Sequence, residues 1–308
     1  MNAQNASRTA IVASLMRAVH TRADPHPIHC DPWGDRIVPG SAWANMYQLA
    51  RSRNPLLPEN ADEATLRSVV SHGLRAIAAY PNIITRSRYA EDALHRAVSR
   101  GVRQYVLIGA GFDSYALRAP SSNGMVVIEI DHPATQSLKR QCLAQSGVAL
   151  PDSTHLVPAD LSIEDLSSVL RKSPLRASEP AFFSWLGVTM YLTKEANFKT
   201  LRAIASTAAP GSELVFEYLD QAFFESDIAS TGSAQALRQG VAALGEPFLC
   251  GFNPSTLQSD LALAGYSLLE DLPDTDLVRQ YDPQGLNKLS PQGLGRIALA
   301  RVVGAIEA

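Results

Sequence analysis

The fold of this chain of 308 residues is decided by the stretch YVLIGAG, residues Tyr105–Gly111. Its first four residues form a short apolar run with β-branched and aromatic side chains, which predicts a buried strand rather than a helix. A second apolar run, Met125–Ile128, follows after a loop and ends in Glu129-Ile130-Asp131. A strand, a glycine turn, a crossover and a second strand ending in an acid predict a nucleotide-type site at the carboxyl ends of parallel strands.

The residues of the turn restrict which cofactor such a site can hold. Gly109 and Gly111 have no Cβ atoms, so a ligand can approach the backbone closely there. The dinucleotide pattern G-x-G-x-x-G fails at its third glycine, where Ser114 stands, and the carboxylate of Asp113 would repel a pyrophosphate. Asp131 can accept hydrogen bonds from a ribose diol. A cofactor with an adenosine and no phosphate is therefore favoured, and S-adenosylmethionine fits that description.

The composition excludes several classes of protein. Hydrophobic residues make up 46% of the chain, which is enough for a full core, and the formal net charge of -3 gives no basic surface for nucleic acid. No apolar run approaches the ~20 residues that a membrane span needs. The 3 cysteines and 7 histidines show no metal-binding spacing, so we expect no metal. The polar first residues lack an apolar signal core, and we expect a cytoplasmic protein.

Predicted strands and helices alternate along the chain, which indicates an α/β fold with a doubly wound sheet of about seven strands. Helices are predicted over residues 7–20, 61–80, 85–100, 133–147, 163–171, 193–208 and 254–264, and strands over 105–108, 125–131, 155–158, 181–187, 213–218, 267–270 and 296–303. We expect the last strand to lie at or near a sheet edge. We expect a single domain, 1–308, with a helical cap over 1–80, a core over 81–308 and an insertion near the fifth strand, at about 219–252.

Two arginines precede the glycine strand. Arg86 and Arg88 stand at the predicted start of the helix 85–100, where a positive charge opposes the helix dipole. We therefore expect an anion to compensate them, and the carboxylate of the cofactor is the natural partner. The alternative is that both arginines are simply solvated.

The end of the third strand carries a second candidate contact. Asp160 can accept from the exocyclic amine of an adenine, and the backbone N–H of Leu161 can donate to a ring nitrogen. The alternative, which is compatible with the adenine contact, is that Asp160 or Ser162 caps the helix 163–171. After the fourth strand, Tyr191 belongs either to the site or to the core.

Taken together, the motifs resemble those of the class I S-adenosylmethionine methyltransferases of the leucine carboxyl methyltransferase type, in the bacterial branch that includes polyketide O-methyltransferases. They occur in order over about residues 7–220: Ser7-Arg8-Thr9-Ala10, Asp31-Pro32-Trp33, Arg86-Ser87-Arg88-Tyr89, Gly109-Ala110-Gly111-Phe112-Asp113-Ser114, Glu129-Ile130-Asp131-His132-Pro133, Asp160-Leu161, Trp185-Leu186-Gly187-Val188 with Tyr191-Leu192, and Pro210-Gly211-Ser212. The resemblance implies a Rossmann-like class I methyltransferase fold with S-adenosyl-L-methionine as the cofactor.

The resemblance also implies roles for particular residues. The cofactor-binding residues are Arg86, with Arg88 as the runner-up, for the carboxylate, Gly109 and Gly111 in the turn, Asp131 for the ribose, and Asp160 and Leu161 for the adenine. There is one departure, because Leu186 stands where the eukaryotic protein-methylating branch has a Glu. This argues against a protein-phosphatase tail as the substrate.

The predicted function is an S-adenosylmethionine-dependent O-methyltransferase acting on a small molecule, either a carboxylate or a polyketide-type hydroxyl. A carboxylate acceptor needs no base, whereas a hydroxyl benefits from one, and the sequence nominates no catalytic residue. The alternatives are a nicotinamide-dependent oxidoreductase on a similar layout and a cofactor-binding protein without catalysis. The missing third glycine weighs against the first alternative, and Arg86, Asp131 and Asp160 weigh against the second.

Overall fold

The computed structural model of the protein describes residues 6–119, 124–225, 232–293 and 295–303. The helices within this part are α1 Arg8–Ala23, α2 Ser41–Arg53, α3 Glu63–Arg75, α4 Tyr80–Ser99, α5 Tyr115–Arg118, α6 Pro133–Gln145, α7 Leu166–Lys172, α8 Lys194–Thr207, α9 Gly232–Ala243, α10 Leu257–Leu263 and α11 Asp274–Tyr281. Two short 3₁₀ helices cover Thr189–Tyr191 and Gln221–Phe224. The strands are β1 Gln104–Ile108, β2 Val126–Asp131, β3 Thr154–Pro158, β4 Phe182–Trp185, β5 Glu213–Leu219, β6 Tyr266–Pro273 and β7 Gly295–Val302.

The strands form one seven-stranded sheet in the order β3-β2-β1-β4-β5-β7-β6. Strands β1 to β5 run parallel to one another, and β7 runs antiparallel to both β5 and β6. The strand order reverses between β1 and β4, which is where open α/β sheets bind ligands. The predicted α/β fold is confirmed. Strand β7 lies one position in from the edge, and β6 is the edge strand.

Both faces of the sheet are covered, as a parallel sheet requires. Every residue of β1, β4 and β5 is buried. One apolar cluster joins the sheet to α7, α8 and α10, and another joins the opposite face to α4, α5 and α11. A third cluster joins α1, α2 and α3 to α4. The division into cap, core and insertion stays a prediction.

Helix α4 begins earlier than the sequence predicts, and this changes the setting of Arg86. The helix predicted over 61–80 ends at Arg75 in the structure, and Pro81 lies in the first turn of α4. A proline is tolerated there because the first N–H groups of a helix have no partner within the helix. Arg86 therefore lies in the second turn of α4, and the argument that its charge opposes the dipole at a helix start is wrong.

Some helices of the structure were not predicted, because their sequences indicate a helix only weakly. Helix α2 was not predicted, and Ala42 is its one buried residue, so it lacks a continuous apolar stripe. Helices α9 and α11 were not predicted either. The predicted insertion 219–252 includes the second 3₁₀ helix and α9, and its residues 226–231 lie outside the described part of the chain. No helix in the described ranges is both long and apolar enough to cross a membrane.

Candidate functional site

The glycine turn after β1 has a backbone that only glycine adopts easily. Gly109 has a φ of +70° and Gly111 a φ of +53°, both in the left-handed region. A Cβ atom at Gly109 would lie 2.5 Å from Cγ2 of Val188, so even an alanine would collide with the segment after β4. The turn therefore brings its bare backbone close to the ends of two neighbouring strands.

Asp131 closes this turn from the end of β2. One oxygen of its carboxylate accepts a hydrogen bond from the N–H of Gly111, and the other accepts from the N–H of His132 at 2.6 Å. Burial raises the pKa of Asp131, and these two backbone donors oppose that shift. Each carboxylate oxygen has a second lone pair. Asp131 can therefore hold the turn and still accept hydrogen bonds from a ribose diol.

Arg86 pairs with an acid of the protein. Its guanidinium contacts the carboxylate of Glu217 on β5, and the same carboxylate oxygen accepts from the N–H of Gly187 at 2.8 Å. Gly187 has a φ of +69°, and a Cβ atom there would lie 2.9 Å from Nη2 of Arg86. Sequence reasoning missed Glu217, although a charged residue between the aromatic residues of a buried strand was a signal for it.

Arg88 points elsewhere. Its Nε lies 3.0 Å from both carboxylate oxygens of Asp92, its Nη1 donates to the carbonyl of Ile28 at 2.9 Å, and its guanidinium stacks on the ring of Tyr281. The structure therefore brings Arg86, and not Arg88, to the turns that follow β1 and β4.

Asp160 lies beside Asp131 at the sheet edge, with His132 between them. Hydrogen bonds from the side chain and backbone of Ser162 lower the pKa of Asp160. Nε2 of His132 lies 3.6 Å from Asp160, while its Nδ1 accepts from the N–H of Ala134 and so caps α6. Both nitrogens of His132 thus have structural partners.

The capping alternative for Asp160 and Ser162 is wrong. The N-cap of α7 is Asp165, whose side chain accepts from the N–H of Ser168. Leu161 is about one third exposed, with 37% of its surface accessible. The loop after β3 therefore presents the carboxylate of Asp160 and a partly exposed Leu161 beside His132, the residue that follows Asp131.

A roof covers the glycine turn; it consists of Ser7–Ala10, at the start of α1, together with Glu246. Ser7 caps α1 by accepting from the N–H of Ala10. The position of a Cβ atom at Gly111 is 3.0 Å from Cβ of Ala10, so the roof contacts the turn directly. Glu246 is 8% exposed and accepts from both the hydroxyl and the N–H of Thr9.

Tyr191 belongs both to the core and to the site. Its ring lies 5.4 Å from the ring of Phe248 in a small apolar cluster. The pKa of Tyr191 is raised to about 12, chiefly by burial. A hydrogen bond with the side chain of Thr9 lowers this pKa, and the charge of Glu246 contributes to raising it. Arg86 and Glu217 act on the same group. The charges of Glu246 and of the Arg86–Glu217 pair therefore act on the hydroxyl of Tyr191, which stays protonated at neutral pH.

Two buried ion pairs, Asp31–Arg17 and Glu129–Lys139, support the residues that follow the glycine turn. Asp31 accepts from Arg17 at 2.8 Å and from Ser114 at 2.6 Å, which ties the loop after α1 to the residues after the turn. Burial alone would raise the pKa of Asp31, but nearby arginines outweigh it and lower the pKa to about 2. Nζ of Lys139 donates to the carbonyl of Asp113 at 2.6 Å and contacts the carboxylate of Glu129.

These features fit the cofactor that the sequence predicts. The glycines let a ligand approach the backbone of the turn, and Asp131 offers acceptors for a diol. Asp160 offers a further acceptor beside His132, and the Arg86–Glu217 pair offers one charge of each sign. Within the described ranges, no group of three or more His, Cys, Asp or Glu side chains could hold a metal ion.

Comparison with known proteins identifies relatives of the whole chain. A family model described as leucine carboxyl methyltransferase matches residues 10–205. The protein YktD of Bacillus subtilis (strain 168), named for S-adenosyl-L-methionine-dependent methyltransferase activity, is 30% identical over 285 residues, and the match covers 90% of this chain and 91% of that protein. A similarly named protein of Mycolicibacterium smegmatis (strain ATCC 700084 / mc(2)155) is 29% identical over 236 residues, covering 76% and 73%.

Solved structures support the fold. A methyltransferase structure from Thermobifida fusca YX superposes with a TM-score of 0.55 at 18% identity, covering 85% of this chain and 94% of that one. A duf574 family protein from Streptomyces avermitilis MA-4680 superposes with a TM-score of 0.53 at 17% identity, covering 87% and 99%. The family match and the relatives above show that the chain belongs to the leucine carboxyl methyltransferase family of S-adenosylmethionine-dependent methyltransferases.

Proposed function

We propose that this protein methylates a hydroxyl oxygen of a small molecule and uses S-adenosylmethionine as the methyl donor. The choice of a hydroxyl is carried by one observation, the buried carboxylate of Glu246 in the roof. The charges of Glu246 and of the Arg86–Glu217 pair all act on the hydroxyl of Tyr191, and within that pair the cation is already matched by an acid. A carboxylate acceptor entering here would meet uncompensated negative charge, whereas a neutral hydroxyl would not.

The closed roof supports a small acceptor. The first turn of α1 contacts both the glycine turn and Glu246, through Ala10 and Thr9 respectively. Glu246 belongs to the segment after α9, so two parts of the chain that are far apart in sequence meet over the site. A protein tail needs an open groove, while a small molecule can be enclosed, and enclosure excludes water from the transfer step.

Methyl transfer to a hydroxyl requires the protein to position the acceptor and to remove its proton. When bound, S-adenosylmethionine supplies an electrophilic methyl group on a sulfonium sulfur. The chain must hold the acceptor oxygen in line and accept the hydroxyl proton. The carboxylate of Glu246 already accepts from one hydroxyl, that of Thr9, and can accept from an acceptor hydroxyl in the same way. Tyr191 stays protonated and can donate a hydrogen bond that orients the acceptor.

The nicotinamide-dependent oxidoreductase is the weaker alternative. Oδ1 of Asp113 accepts from the N–H of Tyr115 at 2.7 Å, so a carboxylate occupies the start of α5, where a pyrophosphate would need to bind. The family membership also favours methyl transfer over hydride transfer.

A methyl-transfer assay tests the proposal. Radiolabelled S-adenosylmethionine is incubated with the protein and with matched hydroxy- and carboxy-substituted naphthalenes. We expect label in the hydroxy compounds, as ethers that resist alkali. Release of labelled methanol by alkali would show methyl esters and would contradict the choice of a hydroxyl.

The Glu246→Gln variant tests the proton acceptor. Loss of a general base typically lowers the rate by roughly 100-fold or more, so we expect a fall of that order in kcat. Glu225→Gln, at an exposed glutamate after the second 3₁₀ helix, is the matched control and should leave kcat unchanged.

A further inference from the structure

Arg86 and Glu217 form a pair of opposite charges at the carboxyl ends of the strands. The side chain of Arg86 is 14% exposed and that of Glu217 is 4% exposed, so both are largely removed from bulk water. The pair contacts the N–H of Gly187, whose neighbour Val188 contacts the position of a Cβ atom at Gly109. The pair therefore lies in direct continuity with the glycine turn.

Stability alone is a weak reason for such a pair. The desolvation of two buried charges offsets much of their attraction, and well-packed apolar residues often stabilise a fold as well or better. Within β5, Glu217 stands between two aromatic residues, Phe216 and Tyr218. A buried acid and a buried cation at the carboxyl ends of the strands, where open α/β sheets bind ligands, indicate a binding role.

The charges of the pair match an amino acid. A lone arginine suits a ligand with only a carboxylate, and a lone glutamate suits one with only an ammonium group. The two together present one charge of each sign and no net charge, which is the pattern of a zwitterion. S-adenosylmethionine and S-adenosylhomocysteine both carry a zwitterionic α-amino acid end.

We propose that Glu217 binds the α-ammonium group of the cofactor while Arg86 binds its carboxylate; this inference rests on the proposed use of S-adenosylmethionine. Glu217 also takes the place of the Glu that the eukaryotic protein-methylating branch has after β4, where this chain has Leu186. Trp185 pairs with Phe216 in the sheet register, so Leu186, one residue on, lies beside Glu217. The carboxylate comes from the neighbouring strand instead of from position 186.

Calorimetric titration of the full-length protein with three ligands tests this role. The ligands are S-adenosylhomocysteine, its deaminated counterpart without the ammonium group, and its decarboxylated counterpart without the carboxylate. We expect the wild type to bind S-adenosylhomocysteine roughly 10- to 100-fold more tightly than the deaminated ligand, since a hydrogen bond to a charged group has that effect.

The Glu217→Gln variant assigns the contact to one residue. It should lose roughly 10- to 100-fold in affinity for S-adenosylhomocysteine but less than about 3-fold for the deaminated ligand. Glu213→Gln is the matched control, because Glu213 lies on the same strand, is equally buried and pairs with Arg100 and Arg301 at the far end from the site. Its relative affinities for the three ligands should equal those of the wild type.

A relocation variant covers the case in which Glu217→Gln folds poorly. The double variant Leu186→Glu/Glu217→Leu moves the carboxylate to the adjacent strand, and we expect it to recover the preference for the ligand with an ammonium group.

Three results would overturn the inference. If the wild type binds the deaminated ligand as tightly as S-adenosylhomocysteine, Glu217 does not bind the ammonium group, although the cofactor assignment stands. If Glu217→Gln weakens both of these ligands equally, Glu217 only positions Arg86. If the wild type binds none of the three ligands, the proposed function fails and the inference fails with it.

Discussion

Asp131 shows at the scale of one residue how a structural contact and a binding contact can share one carboxylate. Its oxygens accept from two backbone N–H groups, at Gly111 and His132, and so fix the glycine turn against the end of β2. Burial raises its pKa, so the charged form depends on these donors. A ribose diol would add two further donors to the same group.

We predict that Asp131→Ala weakens the binding of S-adenosylhomocysteine by about 1.5–3 kcal/mol, because hydrogen bonds to a charged acceptor are lost. Titration calorimetry measures the affinity, and thermal unfolding measures the stability. Asp165→Ala is the control, since Asp165 also accepts from a backbone N–H, that of Ser168, but lies at the start of α7. It should cost about 1 kcal/mol of stability and no affinity. A variant Asp131→Ala that melts early yet binds normally would show that Asp131 is purely structural.

Helix α6 illustrates how one element supports the site from below. Its Lys139 is 1% exposed and joins the Glu129 carboxylate on β2 to the carbonyl of Asp113 after the glycine turn. Burial raises the pKa of Glu129, and the charge of Lys139 opposes that shift. The helix therefore holds the second strand and the turn in one fixed arrangement.

We predict that Lys139→Met destabilises the fold by about 3–5 kcal/mol near neutral pH, because it leaves the Glu129 carboxylate buried without its cation. The pKa of Glu129 is raised in the native state, so the native state binds the proton more tightly than the unfolded chain does. The loss is therefore greatest above that pKa and shrinks as the pH falls through it. Urea denaturation at about pH 8 and about pH 5 measures the difference.

Two variants control this prediction. Lys172→Met, at an exposed lysine in α7, should leave the denaturation midpoint unchanged at both values of pH. The double variant Lys139→Met/Glu129→Gln removes the unpaired charge and should recover much of the loss. Equal destabilisation by the single and double variants would mean that packing, and not charge, holds α6 in place.

The whole molecule places the candidate cofactor site where the strand order of the sheet reverses, and covers it with two segments that are far apart in sequence. Strand β1 and strand β4 are neighbours there, so the turns containing Gly109 and Gly187 face each other. The roof joins the start of α1 to Glu246 across the site. Binding of a ligand to this site would therefore stabilise distant parts of the fold together.

We predict that S-adenosylhomocysteine raises the thermal unfolding midpoint and that NADH at the same concentration does not. A ligand present at about 100 times its Kd stabilises the native state by about 2.7 kcal/mol, and we expect a shift of several degrees. NADH should fail because the carboxylate of Asp113 occupies the start of α5, where its pyrophosphate would bind. Differential scanning calorimetry measures both shifts, and stabilisation by NADH alone would contradict the cofactor assignment.

Features that depend on a few neighbouring residues could be predicted from the sequence alone. Each predicted strand corresponds to a strand of the structure, because a short apolar run of β-branched and aromatic residues has few other stable arrangements. The glycine turn and the acid of Asp131 were also visible, since they follow strands directly. Helix boundaries were less readable, because Pro81 can either end a helix or begin one, and packing of α4 against the sheet decides between them.

The partners of the site residues depended on the tertiary structure. Arg86 was expected to meet an anion, but the argument from the helix dipole was wrong, and the anion that the structure shows is Glu217, 131 positions away in sequence. Thr9 and Glu246 are 237 positions apart. The cofactor class followed from local sequence because a turn and a strand end carry it. The paired charges and the roof did not, because strand order and helix packing bring together residues that no short-range pattern relates.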